Sequence, residues 1–322
     1  MKRSKYIFVL LLLISITVVC SVGTFFYVKV NNASREDSEF YIMTSCNPMY
    51  LATVNVVGDI DGVSVSNLSQ PTTGCLHDYT LTTEDMKNLS KADVLIVNGG
   101  GMEGYLDDVI AAYPDLPIIN TFEEVEDDYP ILIEEESDED EQTSTDEEHH
   151  HDEGANSHIW MSEDIYAGQV NAIAEGLAQV DSSNKAAYIS NAGVFIDTMN
   201  ADIDKQDLDN ILAGSNVAIL HEAFAYTAQS LGANVVATMD LDEERQVSAG
   251  EVSEFIQAIE TNEVKIVFAE YDYGHDMGKL IEEQTDAKVV YLETLVHGSY
   301  EGLDYIYELN NNYKVIVESL TD

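Results

Sequence analysis

Six of the eight histidines in the chain fall into two groups that could bind a metal ion. Residues 149–151 are adjacent, whereas His77, His158 and His221 stand at the ends of predicted strands or beside turns. Imidazole is a good ligand for zinc and other transition metals. Ligands of parallel sheets bind beyond the carboxyl ends of strands, and His221 directly follows the predicted strand 217–220. Since a single histidine is more often a satisfied polar residue than a ligand, residue types alone leave both readings open.

The adjacent histidines lie in a strongly acidic tract. Residues 123–153 contain many Glu and Asp and no Lys or Arg, and the tract includes His149, His150 and His151. Because like charges repel along a chain, we expect residues 134–154 to form a disordered, His-rich loop. The three histidines could capture a metal loosely and pass it inward. They could equally belong to a solvated loop, since ordering the chain around a metal costs entropy.

The composition is that of an acidic globular protein. The chain has 14 Lys+Arg against 60 Asp+Glu, which gives a formal net charge of −46. Phosphate binding requires clustered Lys and Arg, so a nucleic-acid partner is excluded. A hydrophobic content of 45% is ordinary for a folded protein, and 322 residues are enough for two domains. The acidic surface favours solubility and attracts cations.

The N-terminus has the pattern of an export signal or a membrane anchor. Three of the first five residues are Lys or Arg, and residues 6–28 carry no charge. An apolar run of about 20 residues can span a bilayer, and the preceding positive charges favour an inside N-terminus. We expect residues 1–30 to be a cleaved signal peptide or an uncleaved anchor, followed by a polar linker at 31–38. Lipid on Cys20 is a third alternative, although Val19 fits a lipobox poorly. In each case the remainder is extracytoplasmic.

Short apolar runs alternate with longer helical patterns along the rest of the chain. Such alternation is typical of parallel α/β sheets. The predicted strands lie at 40–44, 92–98 and 117–120, and then at 217–220, 234–237, 265–269 and 288–292. Two series of this kind predict an α/β fold with two similar parallel-sheet domains.

Two helices are predicted between the two series of strands. The first begins near Ser162, a good N-cap, and the second runs from about 185 to 212. At 1.5 Å per residue the second helix would span about 40 Å. We therefore expect an N-terminal lobe at 39–183 and a C-terminal lobe at 214–322, joined by a rigid linking helix at 184–213.

Several segments, in their joint order and spacing, carry a resemblance to a known family. They comprise a first strand with a Pro-containing turn, a strand followed by Gly residues and Glu103, three histidine segments and a late segment with a carboxylate. These segments are Met43–Tyr50, His77–Tyr79, Ala92–Glu103, His158–Trp160, His221–Tyr226 and Leu292–Leu295. From Phe40 to the C-terminus the chain resembles the zinc/manganese group of solute-binding proteins of ABC importers, the ZnuA/AdcA type.

The resemblance implies that His77, His158, His221 and Glu293 coordinate the metal. Three imidazoles and one carboxylate suit a tetrahedral Zn²⁺ site. Mn²⁺ prefers more oxygen ligands, so a third histidine favours zinc. A water molecule could take the place of Glu293.

The resemblance also implies a function without catalytic residues. The protein would capture Zn²⁺ in the cleft between its lobes and deliver it, as a monomer, to the membrane permease of an ABC importer. Alternatives are a manganese- or iron-binding importer component, a surface adhesin, and a zinc hydrolase with Glu222 as its base. The hydrolase alternative lacks a His-Glu-x-x-His motif and any Ser-His-Asp or phosphate-loop signature.

Two cysteines depart from the usual family pattern. Cys75 and Leu76 stand where the family commonly has Asp-Pro before the first histidine, and Cys46 replaces a common aromatic residue. The resemblance therefore places both cysteines near the metal cleft. We expect a Cys46–Cys75 disulfide, because an exported compartment is oxidising. The alternative is thiolate ligation of the metal, since zinc binds sulfur well.

Overall fold

The structure is a computed structural model of the chain. It describes residues 40–69, 79–133, 154–202, 208, 211–239, 241, 247–299 and 301–321. The expected anchor at 1–30, the linker at 31–38 and nearly all of the acidic loop at 134–154 lie outside these ranges. Within them, no helix combines the length and the hydropathy needed to cross a bilayer.

The first sheet consists of four parallel strands in the order β2-β1-β3-β4. Its strands are β1 (Phe40–Thr44), β2 (Val63–Asn67), β3 (Val94–Val97) and β4 (Ile118–Asn120). The helices of this part are α1 (Asn47–Val57), α2 (Thr83–Leu89), α3 (Leu106–Ala112) and α4 (Thr121–Val125). Every residue of β3 is buried, because both faces of the parallel sheet are covered, and this accounts for its unbroken Val-Leu-Ile-Val sequence.

The second sheet repeats the arrangement of the first with the strand order β6-β5-β7-β8. Its strands are β5 (Asn216–Ile219), β6 (Asn234–Thr238), β7 (Ile266–Glu270) and β8 (Lys288–Leu292). Its helices are α7 (Phe224–Ser230), α8 (Ala249–Thr261), α9 (His275–Gln284) and α10 (Asp304–Thr321). In each sheet the first strand lies between the second and the third. The predicted pair of similar parallel-sheet α/β units is confirmed.

Two long helices, α5 (Glu163–Val180) and α6 (Lys185–Asp202), lie between the sheets in the chain. Helix α5 begins directly after Ser162, as predicted, although the Ser162 side chain makes no capping hydrogen bond. The predicted extension of the second helix to residue 212 is wrong. Helix α6 has 18 residues, about 27 Å at 1.5 Å per residue, and residues 211–214 form a turn. The turn is held to the second lobe, because Leu212 N donates to Leu231 O at 3.1 Å.

One hydrophobic cluster extends through both lobes, and the C-terminal lobe also has a separate cluster of its own. The shared cluster includes buried residues of the first sheet, of α5 and α6, and of the second sheet. Trp160, which is fully buried, donates a hydrogen bond from Nε1 to the carbonyl of Thr294 at 2.8 Å, just after β8. The amide of Asn47 donates across the same interface to the carbonyl oxygens of Leu295 and His297. The lobes are therefore joined by noncovalent contacts as well as by the chain segment that connects them.

Candidate metal centre

His158 belongs to the N-terminal lobe. It precedes a single 3₁₀ turn, Ile159–Met161, which leads into α5, and its side chain is completely buried. The His158 backbone N donates to Oδ1 of Asn156 at 3.0 Å. The same oxygen lies 3.2 Å from Nδ1 of the His158 ring. The ring is thus held by the residue two positions before it.

His221 occupies the position expected for a ligand of a parallel sheet. It follows the carboxyl end of β5, precedes α7 and is 3% exposed. The His221 and His158 rings meet edge to face, with centroids 5.0 Å apart and planes at 78°. The structure therefore brings together one predicted histidine from each lobe.

Carboxylates face both rings. Oε1 of Glu222 lies 3.4 Å from Nδ1 of His158, although Glu222 belongs to the C-terminal lobe. Oε2 of Glu270, the last residue of β7, lies 3.8 Å from Nδ1 of His221. A carboxylate beside the second nitrogen of a histidine is common around metal ligands, because it fixes the orientation of the ring.

Glu270 is a buried carboxylic acid that the sequence does not single out as a site residue. Its Oε1 accepts a hydrogen bond from Oγ1 of Thr294 at 2.7 Å. Burial raises the pKa of Glu270 to about 7, although the hydrogen bond from Thr294 opposes the shift. Its position in the sequence could have indicated a site residue, because Glu270 directly follows the predicted strand 265–269 and so lies at the same sheet edge as His221.

Glu293 follows β8 and is anchored through its backbone. Its N donates to Oδ1 of Asn312 at 2.8 Å, and its carbonyl accepts from Nδ2 of the same residue at 2.7 Å. The side chain is half-buried, and burial, followed by the nearby charge of Asp272, raises its pKa. Among the described residues, no three His, Cys, Asp or Glu side chains converge as a metal-binding group. Glu293 is therefore not gathered with the two imidazoles, and His77 lies outside the described ranges.

Cys46 is a free, buried thiol at the N-cap of α1. Burial raises the pKa of this thiol to about 12, and the charge of Glu103 acts in the same direction. With so high a pKa, Cys46 is a protonated thiol in the metal-free protein. Metal ligation by Cys46 stays an alternative. The partner expected for the disulfide, Cys75, lies outside the described residues, so the structure does not test the pairing. The disulfide stays a prediction.

The three adjacent histidines, His149, His150 and His151, also lie outside the described residues. The structure does place the two ends of their segment side by side, because Ile133 and Ala155 form an isolated antiparallel bridge.

A family model described as zinc-uptake complex component A, periplasmic, matches residues 42–319. The chain belongs to this family. The match spans both sheets and the helices between them. The family comprises extracytoplasmic metal-binding components of ABC importers, which are transport proteins and not enzymes. The resemblance drawn from the sequence is thereby confirmed, as is the expectation that the chain has a transport function.

Relatives within the family carry names that refer to different metals. The iron-binding protein YfeA of Yersinia pestis is 23% identical over 272 residues, which cover 82% of this chain and 81% of YfeA. The high-affinity zinc uptake system protein ZnuA of Bacillus subtilis is 25% identical over 300 residues, covering 90% of each chain. A structure of FpvC from Pseudomonas aeruginosa in complex with Mn²⁺ is 23% identical and aligns with a TM-score of 0.69. That alignment covers 88% of this chain and 98% of FpvC, and it supports the fold.

Proposed function

We propose that this metal-binding component is specific for zinc, which it captures between its two lobes and delivers to the permease of an ABC importer. The observation that carries the proposal is the pair His158 and His221, two buried imidazoles contributed by different lobes. With Zn–N distances of 2.0–2.1 Å, two imidazoles on a tetrahedral zinc have ring centroids about 5 Å apart. The centroids here are 5.0 Å apart, so the pair matches that spacing.

The proposed ligand set is His77, His158, His221 and Glu293. Water is the alternative fourth ligand, because Glu293 does not converge with the two imidazoles among the described residues. Three imidazoles favour zinc over manganese, which prefers oxygen-rich sites. The metals in the relatives' names include iron and manganese as well as zinc, so a manganese- or iron-binding role is the alternative.

The remaining parts of the proposal concern how the protein is organised around the metal. The lobes at 39–183 and 214–322 would enclose the ion, with residues 184–213 between them. Residues 1–30 would tether the protein to the outer face of the membrane. His149, His150 and His151 would offer an auxiliary capture site. The shared core and the hydrogen bonds between the lobes favour a protein that moves little during capture.

The test is metal content and affinity, measured by elemental analysis and competition titration on the full-length protein. We expect one tightly held zinc per chain. His158→Ala and His221→Ala should each weaken zinc binding by more than about 100-fold, because each removes a direct ligand. His275→Ala is the matched control. His275 is the first residue of α9 and packs its ring against Tyr291 of β8, so its removal should leave the affinity unchanged. Tighter binding of manganese or iron, or zinc binding that is indifferent to both ligand variants, would overturn the proposal.

A further inference from the structure

The Nδ1 atom of His158 faces oxygen atoms from two directions. Oδ1 of Asn156 lies at 3.2 Å and Oε1 of Glu222 at 3.4 Å. A neutral imidazole carries its proton on one nitrogen and offers the lone pair of the other. Acceptor oxygens beside Nδ1 favour the tautomer with the proton on Nδ1. That tautomer leaves the Nε2 lone pair for a metal ion.

The two oxygens belong to different lobes, yet one side chain links them. Asn156 stands two residues before His158, whereas Glu222 directly follows His221 in the C-terminal lobe. The Asn156 side chain donates from Nδ2 to the backbone carbonyl of Glu222 at 3.0 Å. The Asn156 amide group therefore contacts the His158 ring through its oxygen and the backbone just before α7 through its nitrogen.

The backbone of Asn156 strengthens this link. Its carbonyl accepts a hydrogen bond from the hydroxyl of Tyr226, a buried residue of α7, at 2.8 Å. Its N donates to the carbonyl of Leu132 at 2.8 Å. Hydrogen bonds thus hold the backbone N, the carbonyl and the side-chain nitrogen of Asn156, and they keep its amide group in one orientation. The fixed orientation matters because an amide that turned freely could present either its oxygen or its nitrogen to the ring. Only the oxygen accepts a hydrogen bond and so favours a proton on Nδ1.

We propose that Asn156 and Glu222 are positioning residues that hold His158 in the Nδ1–H tautomer and couple its orientation to the docking of the C-terminal lobe. The metal-binding part of this inference rests on the proposed function, in which His158 is a ligand. The tautomer itself is a property of the apoprotein. In this arrangement the dipeptide His221-Glu222 has a double role, because its first residue faces the metal and its second orients the histidine of the opposite lobe.

The experiment is ¹⁵N NMR of the metal-free, full-length protein labelled at histidine, with the His158 signals assigned through His158→Gln. In the wild type we expect a protonated Nδ1 and an unprotonated Nε2. In the double variant Asn156→Ala/Glu222→Ala we expect both tautomers and zinc binding that is about 10- to 100-fold weaker. Glu222→Gln keeps an acceptor oxygen and should retain the wild-type tautomer. Glu254→Ala, an exposed position on α8, is the matched control.

Two results would overturn the proposal: a wild-type His158 with its proton on Nε2, or a double variant that keeps both the tautomer and the affinity. If the double variant does not fold, the wild-type NMR signals still decide, because a proton on Nε2 of His158 overturns the proposal without any variant. The two proposals can fail separately. Undiminished zinc affinity in His158→Ala would reject His158 as a ligand, whereas the NMR signals would still decide whether Asn156 and Glu222 set its tautomer.

Discussion

Tyr166 of α5 and Tyr305 of α10 stack face to face, with ring centroids 3.7 Å apart and planes 16° from parallel. Both rings are fully buried. The Tyr305 hydroxyl donates to the carbonyl of Trp160 at 2.8 Å, so the C-terminal helix is bonded to the segment that carries His158. The last helix of the C-terminal lobe therefore also packs into the hydrophobic cluster that the two lobes share.

Removal of the Tyr305 ring should be strongly destabilising. We expect Tyr305→Ala to lower the free energy of unfolding by about 3–5 kcal/mol, the range for large aromatic side chains in cores. Tyr305→Phe should cost about 1 kcal/mol, because it loses only the hydrogen bond to Trp160. Tyr307→Ala provides the control on the same helix, since Tyr307 is 62% exposed and its loss should change stability by less than about 0.5 kcal/mol. Urea unfolding measures all three, and similar losses for Tyr305→Ala and Tyr307→Ala would contradict the prediction.

Asn312 should support the loop that carries Glu293. Its buried amide makes two hydrogen bonds to the Glu293 backbone, so Asn312→Ala should lower the free energy of unfolding by about 1–3 kcal/mol. Asn311→Ala, an exposed neighbour on the same helix, should have almost no effect. Under the proposed function, Asn312→Ala should also weaken zinc binding, because Glu293 is then held less firmly. Equal unfolding free energies for the two variants would argue against this role.

Glu308 should make the stability of the apoprotein depend on pH. Burial, followed by the charges of Asp304 and Glu293, raises the pKa of Glu308 to about 8. The folded state then binds the proton more tightly than the unfolded state, so stability falls as the pH rises from about 4.5 to about 8.

Glu308→Gln should remove this loss. After discounting for the partial exposure of the side chain, we expect the variant to gain about 1–2 kcal/mol over the wild type between pH 5 and pH 8. Unfolding in urea at the two pH values measures the difference. Glu301→Gln, at an exposed position just before α10, should follow the wild type. Parallel pH profiles for wild type and Glu308→Gln would refute the assignment.

Two glycines should respond to alanine in opposite ways. Gly99 has φ of 84°, and an added Cβ would overlap Oδ1 of Asn120, so Gly99→Ala should cost more than about 2 kcal/mol. Gly193 lies exposed inside α6 with no atom within 4 Å of an added Cβ. Gly193→Ala should therefore stabilise the protein by about 0.5–1 kcal/mol. Thermal unfolding should give midpoint shifts of opposite sign, and a shift of the same sign in both variants would be inconsistent with these conformations.

The strands show what sequence patterns can and cannot predict. β1 and β8 agree with the predicted ranges 40–44 and 288–292, because each is a compact apolar run. β2 was not predicted, because Val63–Asn67 alternates Val with Ser and contains no apolar run. The strand lies at the edge of the sheet, where each of its residues is half-buried. These residues form a strand because they pair with β1, and this pairing exists only in the folded chain. The local sequence therefore could not predict it. The end of α6 was missed for a similar reason, because contacts with the second lobe hold the turn at 211–214.

The candidate site was predictable only in part. The resemblance singled out His158 and His221 among the four expected ligands, and their rings lie side by side in the structure. Nothing in the sequence indicated that Asn156 and Glu222 would share the same ring nitrogen, because that contact depends on how the two lobes pack. Glu270 could have been found as the polar residue that ends a buried strand beside β5.

The bridge between Ile133 and Ala155 has a consequence for how the chain can be altered. Ile133 and Ala155 are neighbours in space, and Ile133 is 70% exposed, so the two residues that flank residues 134–154 meet at the surface. Insertions or deletions between them need not displace β4 or the segment leading to His158. The chain thus contains a position at which length and composition can be changed without a direct effect on the buried histidine pair.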